Sequence, residues 1–407
     1  MSSDDARRRL SILVFSPYLA PHVGGVESFV AELSEVLLRR GEAGRVTVLT
    51  PELPRGAPAR ETHDAGYAIV RYPAFELIPN FPAPKFWRLD FWRAVRAAAP
   101  RDHDVLVSHT RFFVSSALAL ACARACERPL LHVEHGSDYV QLTGRMSGAV
   151  ARAYDVTIGR LVLRRADLVV AVSRAAAGFV RRLAGREAEV VYRGMWPHRL
   201  TSISPDARVR GFARGRLAVT FVGRLIDGKG VSDLIRAFAL LEHRDAVLCL
   251  IGDGPRRADL ESLALELGVS ERVLFAGYLD EAEALAAILA SDVIVNPSYT
   301  EGLPTTVLEA AFLGRAVLAT DVGGTAEVVQ DGCSAVLVAP RDIEALARGL
   351  SRLVADAELR ERVGHAARAG AEQRFSWEQS AERFALVARR ALSLRADTSP
   401  HNGRRLG

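Results

Sequence analysis

Residues 217–230 read LAVTFVGRLIDGKG. Leu217 to Val222 is an apolar run interrupted only by Thr220, the pattern of a strand buried on both faces in a parallel sheet. Directly behind it a loop carries Arg224 and Lys229. The chain holds 53 lysines and arginines together, yet only Lys85 and Lys229 are lysine. An ammonium on a flexible stem meets a phosphate as a point charge, while a planar guanidinium grips it as a fork. One of each behind a strand fits a phosphate clamp; the plain alternative is a solvated loop.

Outward from this stretch, strands and helices alternate in both directions. Toward the N-terminus lie LSILVFSP (10–17), RVTVLT (45–50), DVLVSH (104–109), PLLHVEH (129–135) and ADLVVAVS (166–173). Toward the C-terminus lie AVLCLIGDG (246–254), RVLFAGY (272–278), DVIVNPS (292–298), AVLATDVGG (316–324) and SAVLVAP (334–340). Helical periods such as VESFVAELSEVLLRRG (26–41) separate them. The alternation predicts two doubly wound parallel-sheet α/β domains facing a central cleft, with ligands beyond the carboxyl ends of the strands. Between them, VVYRGMWPHRLTSISPDARVRGFARGR has no clear period and reads as a linker. The expected division is 1–195, 196–375, an amphipathic helix over 376–395 and a disordered tail over 396–407.

At 407 residues the chain is too long for one core. Its composition, 49% apolar and 25% charged, is that of an ordinary soluble protein, and a net charge of +5 suits anionic ligands or an acidic membrane surface. With no zinc spacing and no basic repeat studded with aromatics, the sequence argues against nucleic-acid binding. Cys122, Cys126, Cys249 and Cys333 form no CxxC pair and read as small buried thiols in a reducing compartment. The opening MSSDDARRRL lacks the apolar segment of a secretion signal, so a cytoplasmic location is expected. No apolar run reaches the ~18 residues of a membrane span.

Four further stretches carry candidate chemistry. In SPYLAPHVGGVES (16–28), Gly24 and Gly25 let backbone approach a ligand at a helix start, although the spacing is not the GxGxxG of a dinucleotide fold. Glu27 suits the helix dipole and is given no chemistry. In HVEHGSD (132–138), His135 stands at the ligand-facing end of a strand, while His132 reads as core. In PSYTEGLPTTVLEAAFLG (297–314), a loop with Glu301 and Gly302 precedes a helix starting near Thr305 or Thr306. Glu309 lies one turn in, where Thr306-x-x-Glu309 also fits a capping box. The DxD pair Asp102 and Asp104 precedes its strand, the wrong end for a metal-dependent sugar site, and reads as a solvated turn.

Taken together, PHVGGVES, His135, VGRLIDGKG and EGLPTTVLEA resemble the retaining GT-B glycosyltransferases of family 4, the group 1 glycosyl transferases. The likeness extends to RFSWEQSAERF, similar to the family's final helices, which cross back to the N-terminal domain. A turn often reading Asn-Gly-Val in that family is YRGMWPHR (192–199) here. The resemblance implies a GT-B fold, with an acceptor domain followed by a nucleotide-sugar donor domain, and a hexosyltransferase. By implication, Arg224 and Lys229 bind the donor diphosphate and neutralise the leaving group. Glu309 holds the ribose hydroxyls, and Glu301 contacts the donor sugar with Gly302 and Leu303 beside it. His135 lies against that sugar, Gly24 and Gly25 offer amides, and backbone near Gly277 and Tyr278 meets the base. No cofactor and no metal are implied, only a nucleotide-diphosphate sugar as co-substrate and a glycan, lipid-linked or small-molecule hydroxyl acceptor. Attack on the face from which the departing phosphate leaves would retain configuration. A nucleotide-sugar epimerase or sugar phosphorylase of the same architecture is the alternative.

FELIPNFPAPKFWRLDFWRAVR (75–96) mixes Phe86, Trp87, Phe91 and Trp92 with Lys85, Arg88, Arg93 and Arg96. It could rest on an anionic bilayer beside a lipid-linked acceptor, at the inner membrane face, or simply bury one aromatic side of a helix.

Overall fold

The computed structural model describes residues 8–20, 22, 24–53, 56–78, 81–140, 145–200 and 202–398. The chain divides into two compact units: residues up to Gly194 together with the final helix Trp377–Thr398, and Met195–Ser376. The final helix continues through 396–398, the first three residues of the stretch 396–407 expected to be a disordered tail, and the rest of that stretch lies outside the described residues.

The sheet of the first unit orders its strands Glu189–Val190, Leu168–Ala171, Leu130–Glu134, Val105–His109, Leu10–Phe15, Ala43–Pro51, Ala68–Tyr72 and Arg60–Thr62. All neighbours are parallel except the last pair, where Arg60–Thr62 is an antiparallel edge. From Leu10–Phe15 the chain builds outward on one side and then returns to build on the other. The order therefore reverses between Leu10–Phe15 and Val105–His109, and their carboxyl ends frame a crevice.

Helix Gly25–Arg39 covers this sheet because Phe29, Val30, Leu33, Val36 and Leu37 recur at helical spacing and are buried. The final helix adds Trp377, Ala381, Phe384, Ala388 and Ala391, all buried, and Trp377 packs 5.6 Å from Phe29, ring centre to ring centre. Burial of each large side chain contributes about 1.5–3 kcal/mol.

The second unit's six-stranded sheet runs Val273–Gly277, Ala246–Ile251, Leu217–Val222, Val293–Asn296, Ala316–Thr320 and Val336–Val338, parallel throughout. Here the order reverses between Leu217–Val222 and Val293–Asn296. Helix Val231–Ala239 packs on the sheet through Leu234, Ile235 and Phe238, which join Leu350 and Leu353 in one core.

Two expectations are corrected. The supposed linker is partly ordered. Asp206 accepts amide hydrogens from Arg208 and Val209, which starts helix Ala207–Ala213, and Val209 and Ala213 enter the core of the second unit. The four cysteines are not all buried: Cys249 is, Cys122 and Cys126 are half-buried, and Cys333 is exposed.

Candidate active site

The two crevices are built by different chemistry. In the second unit, Leu217–Val222 ends at Gly223, and the loop after it turns through Asp227–Lys229 into Gly230, which has φ +65°. A Cβ on Gly230 would stand 2.1 Å from the Pro297 carbonyl oxygen, so only glycine lets this loop lie against the loop of the neighbouring strand. The amide of Tyr299 donates to the Gly228 carbonyl at 2.9 Å and closes the same junction. That approach brings Lys229 to Glu301: Nζ donates to Oε1 at 2.6 Å, across 72 residues of sequence. Asn296 steadies the loop at the strand end, its Oδ1 accepting from the Ser298 hydroxyl at 2.6 Å. Tyr299 donates to Asp233 at 2.7 Å and lies under the Arg341 guanidinium.

Arg224 is exposed on this loop, with no ion-pair partner among the described residues. Lys229 has three N–H donors, so its bond to Glu301 leaves two for an anion. Helix Thr305–Phe312 begins after Pro304 without a side-chain cap. The Thr306 hydroxyl goes instead to the Val222 carbonyl, 3.2 Å away, so Thr306 and Glu309 form no capping box. Glu309 is half-buried one turn into the helix, while Gly302 and Leu303 lie in the loop before it. The Gly302 carbonyl accepts from the Gly324 amide at 3.1 Å.

On the other side of the clamp loop, Gly252 and Gly254 support it from below. A Cβ on Gly252 would meet the Gly223 carbonyl oxygen at 1.9 Å, and one on Gly254 the Leu225 carbonyl oxygen at 2.5 Å. The stretch AVLCLIGDG (246–254) reads in sequence only as a strand, with neither glycine a candidate; two glycines just past a strand end were the signal. The Gly277 carbonyl accepts from the Gly252 amide at 2.8 Å, and Tyr278 beside it is 58% exposed.

In the first unit, the strand before His135 ends at Glu134. His135 Nε2 and His109 Nδ1 stand 3.0 Å apart and share one proton, and Phe29 meets the His135 ring edge-on at 5.0 Å. Burial is the main reason the His135 imidazole is pushed down to about 4, aided by His132 and Arg193 against the opposing pull of Glu134. His109 is driven well below its ordinary value by burial and its histidine neighbours. At neutral pH both rings are uncharged. His132 is buried core, bonded through Nδ1 to the Ser108 hydroxyl at 2.8 Å.

Below His135 lies an ionic network that sequence did not reveal. Arg111, buried with Glu134 and Asp155, donates to Glu134 at 2.9 Å and to Asp155 at 3.1 Å. It also donates to the Asp138 carbonyl at 3.0 Å, and Glu134 accepts from the Gly136 amide at 2.7 Å. Burial pushes the Glu134 carboxyl up, but Arg111, His132 and that amide outweigh it and hold it at about 2. Loop 135–138 is thus fixed from beneath.

Gly24 stands before the helix start with its carbonyl accepting from the Ser28 hydroxyl at 2.9 Å. A Cβ there would come 2.5 Å from a Glu27 carboxylate oxygen, whereas one on Gly25 would meet nothing within 4 Å. Glu27, set aside by the sequence reading, is buried and pairs with His22 Nδ1 at 2.9 Å. Arg193, in the stretch expected to be linker, donates to Glu32 at 2.7 Å and to Ser28 at 2.8 Å and pins the same helix. Asp104 pairs with Arg8 and accepts the Ser11 amide at 2.8 Å, at the amino end of its strand. No cluster of three or more metal-ligating side chains occurs among the described residues.

The model of Glycosyltransferase Family 4 matches residues 23–199, and that of Glycosyl transferases group 1 matches residues 204–370. An uncharacterized glycosyltransferase of Methanocaldococcus jannaschii is 31% identical over 396 residues, which is 95% of this chain and 100% of the relative. The chain belongs to the group 1 glycosyltransferases. The solved structure of sucrose-phosphate synthase from Thermosynechococcus elongatus matches this glycosyltransferase with a TM-score of 0.79 at 23% identity, over 95% of this chain and 100% of that one. HepE of Anabaena, solved in complex with UDP and glucose, matches with a TM-score of 0.75 at 19% identity, over 93% and 99%. Both likenesses give the glycosyltransferase a GT-B fold.

Proposed function

We propose that this glycosyltransferase moves a sugar from a nucleotide-diphosphate sugar to a hydroxyl acceptor, with retention of configuration and without a metal. The observation that carries the reading is the clamp loop. Arg224 and Lys229 stand at the point of strand reversal in the second sheet, where anionic ligands bind in such folds, and Lys229 keeps two free donors beside Glu301. Two cations on the leaving diphosphate would stabilise the charge that builds as the glycosidic bond breaks, the task a metal performs elsewhere. UDP in the structure of HepE supports a nucleotide donor.

On this reading Glu309 takes the ribose hydroxyls, Glu301 with Gly302 and Leu303 the sugar, and the backbone at Gly277 and Tyr278 the base. The role of His135 follows from its neutrality: an uncharged imidazole with a fixed partner can face a sugar acquiring positive charge without repelling it. Gly25, with open space before it, suits backbone contact with the donor. Membership of a transferase family disfavours the epimerase and phosphorylase alternatives. No helix among the described residues is long and apolar enough to cross a membrane. The cytoplasmic, membrane-peripheral setting is part of the proposal. It is supported by exposed Trp87, Leu89 and Trp92, while Phe91 on the same segment is buried.

The test is product analysis with a panel of nucleotide sugars, in the presence of excess chelator. The account expects a product with the donor's anomeric configuration by NMR and an undiminished rate. An inverted product, or a rate abolished by chelation and restored by a divalent ion, would reject the mechanism.

A further inference from the structure

A cavity of the first unit is lined by none of His109, His135, Gly24 and Gly25. It has a volume of about 640 Å³ and sits beyond the carboxyl ends of strands Ala43–Pro51 and Ala68–Tyr72, under helix Leu89–Ala97. Its charges are unbalanced. Arg60, Arg71, Lys85, Arg88 and Arg93 line it, against Glu52 and Asp90. Arg71 is buried and spent: it pairs with Glu61 at 2.6 Å and donates to the carbonyls of Pro58 and Ala20. The bond to Ala20 ties the cavity floor to the segment that follows strand Leu10–Phe15. Arg88 and Arg93 share the single carboxylate of Asp90, at 2.9 and 3.1 Å. Arg60 and Lys85 have no ion-pair partner among the described residues. Lys85 is half-buried, one of the two lysines in the chain, and the other stands in the diphosphate clamp.

Counting Glu61, five cations meet three carboxylates, an excess of two positive charges in a concave site. A carboxylate would leave one of them uncompensated. A phosphate monoester, which carries about −1.5 to −2 at neutral pH with three acceptor oxygens, matches it. We propose that this cavity binds a phosphate group carried by the acceptor. The inference rests on the transfer reading only in naming the occupant an acceptor; the phosphate site stands on the cavity alone. A phosphate of this kind can sit on a soluble sugar or polyol, or on a lipid head group presented beside Trp87 and Trp92.

Two arms separate these sources. The full chain is titrated with glycerol 3-phosphate, and separately sedimented with phosphatidic acid vesicles, whose head group is a phosphate monoester, and with phosphatidylcholine vesicles. The site predicts binding in at least one arm, weakened tenfold or more by Lys85→Glu combined with Arg60→Glu. Arg96→Glu, on the same helix but outside the cavity, should leave binding within twofold. Glycerol 3-phosphate binding marks a soluble phosphate source, and binding to the anionic vesicles alone marks a lipid source. Failure of the wild type in both arms, equal binding by the double variant, or an equal loss in Arg96→Glu would overturn the proposal, the last because it signals general surface attraction. UDP and GDP binding is measured on the same samples. Its absence would remove the donor reading and leave the cavity result standing.

Discussion

The two crevices occupy equivalent places in their sheets, each where strand order reverses, yet they are made in opposite ways. In the first, charge is either removed or locked: His109 and His135 are neutralised by burial, and Arg111 is enclosed between Glu134 and Asp155. In the second, charge is left accessible, with Arg224 exposed and Lys229 only partly covered by Glu301. The difference separates two tasks. A fixed, uncharged rim holds shape, and its ionic groups serve the loop beneath. On the proposed reading, an accessible cationic rim is left for an anion, and charges satisfied internally could not serve it.

The largest expected effect lies in the locked rim. Arg111→Leu leaves Glu134 and Asp155 buried without their cation, and loss of one partner from such a network costs about 3–5 kcal/mol. Chemical denaturation should show that loss; a change within 1 kcal/mol would mean the network is not what holds loop 135–138. Next comes the geometry of the cationic rim. Gly230→Ala must place a side chain at φ +65° and against the Pro297 carbonyl, and the backbone term alone costs about 1–2 kcal/mol. Separation of the clamp loop from the Glu301 loop should weaken nucleotide binding more than it lowers stability. Equal losses would argue that the junction is only structural.

The smallest effect sharpens the contrast through pH. The folded pKa of His135 is about 4, below its ordinary 6.5, and those of His109 and His103 are lowered too, so the unfolded chain binds more protons as pH falls below 6.5. Stability contributed by these neutral rings is present above pH 6.5 and is lost as pH falls toward 4, at up to about 1.4 kcal/mol per pH unit for each group. Glu134, held at about 2, adds to the slope only below its ordinary 4.5. Thermal denaturation between pH 6.5 and 4.5 should therefore show a declining midpoint, less steep in His135→Asn. An unchanged slope in that variant would place His135 in water.

Much of this was legible in sequence because it was local. Apolar runs gave the strands, and short spacings gave Arg224, Lys229, Glu301 and His135 their places in the loops after strand ends, and Glu309 its place one turn into a helix. What was not legible depends on distance along the chain. Arg111 lies 23 residues from Glu134 and 44 from Asp155, and nothing in its neighbourhood announces burial. The Lys229–Glu301 bond exists because Leu217–Val222 and Val293–Asn296 are paired strands, which alternation alone does not reveal. Helix Ala207–Ala213 escaped because seven residues are too few for a period to emerge, although Asp206 offered the cap.

The central claim is that Arg224 and Lys229 cradle a nucleotide diphosphate. Calorimetric titration of UDP and GDP against the wild type and Lys229→Ala tests it most directly. A charge-assisted bond is worth about 1.5–3 kcal/mol, so affinity for the preferred nucleotide should fall by roughly 10- to 150-fold while the fold is retained. Equal affinity in the two proteins, or no nucleotide binding to the wild type, would contradict the account.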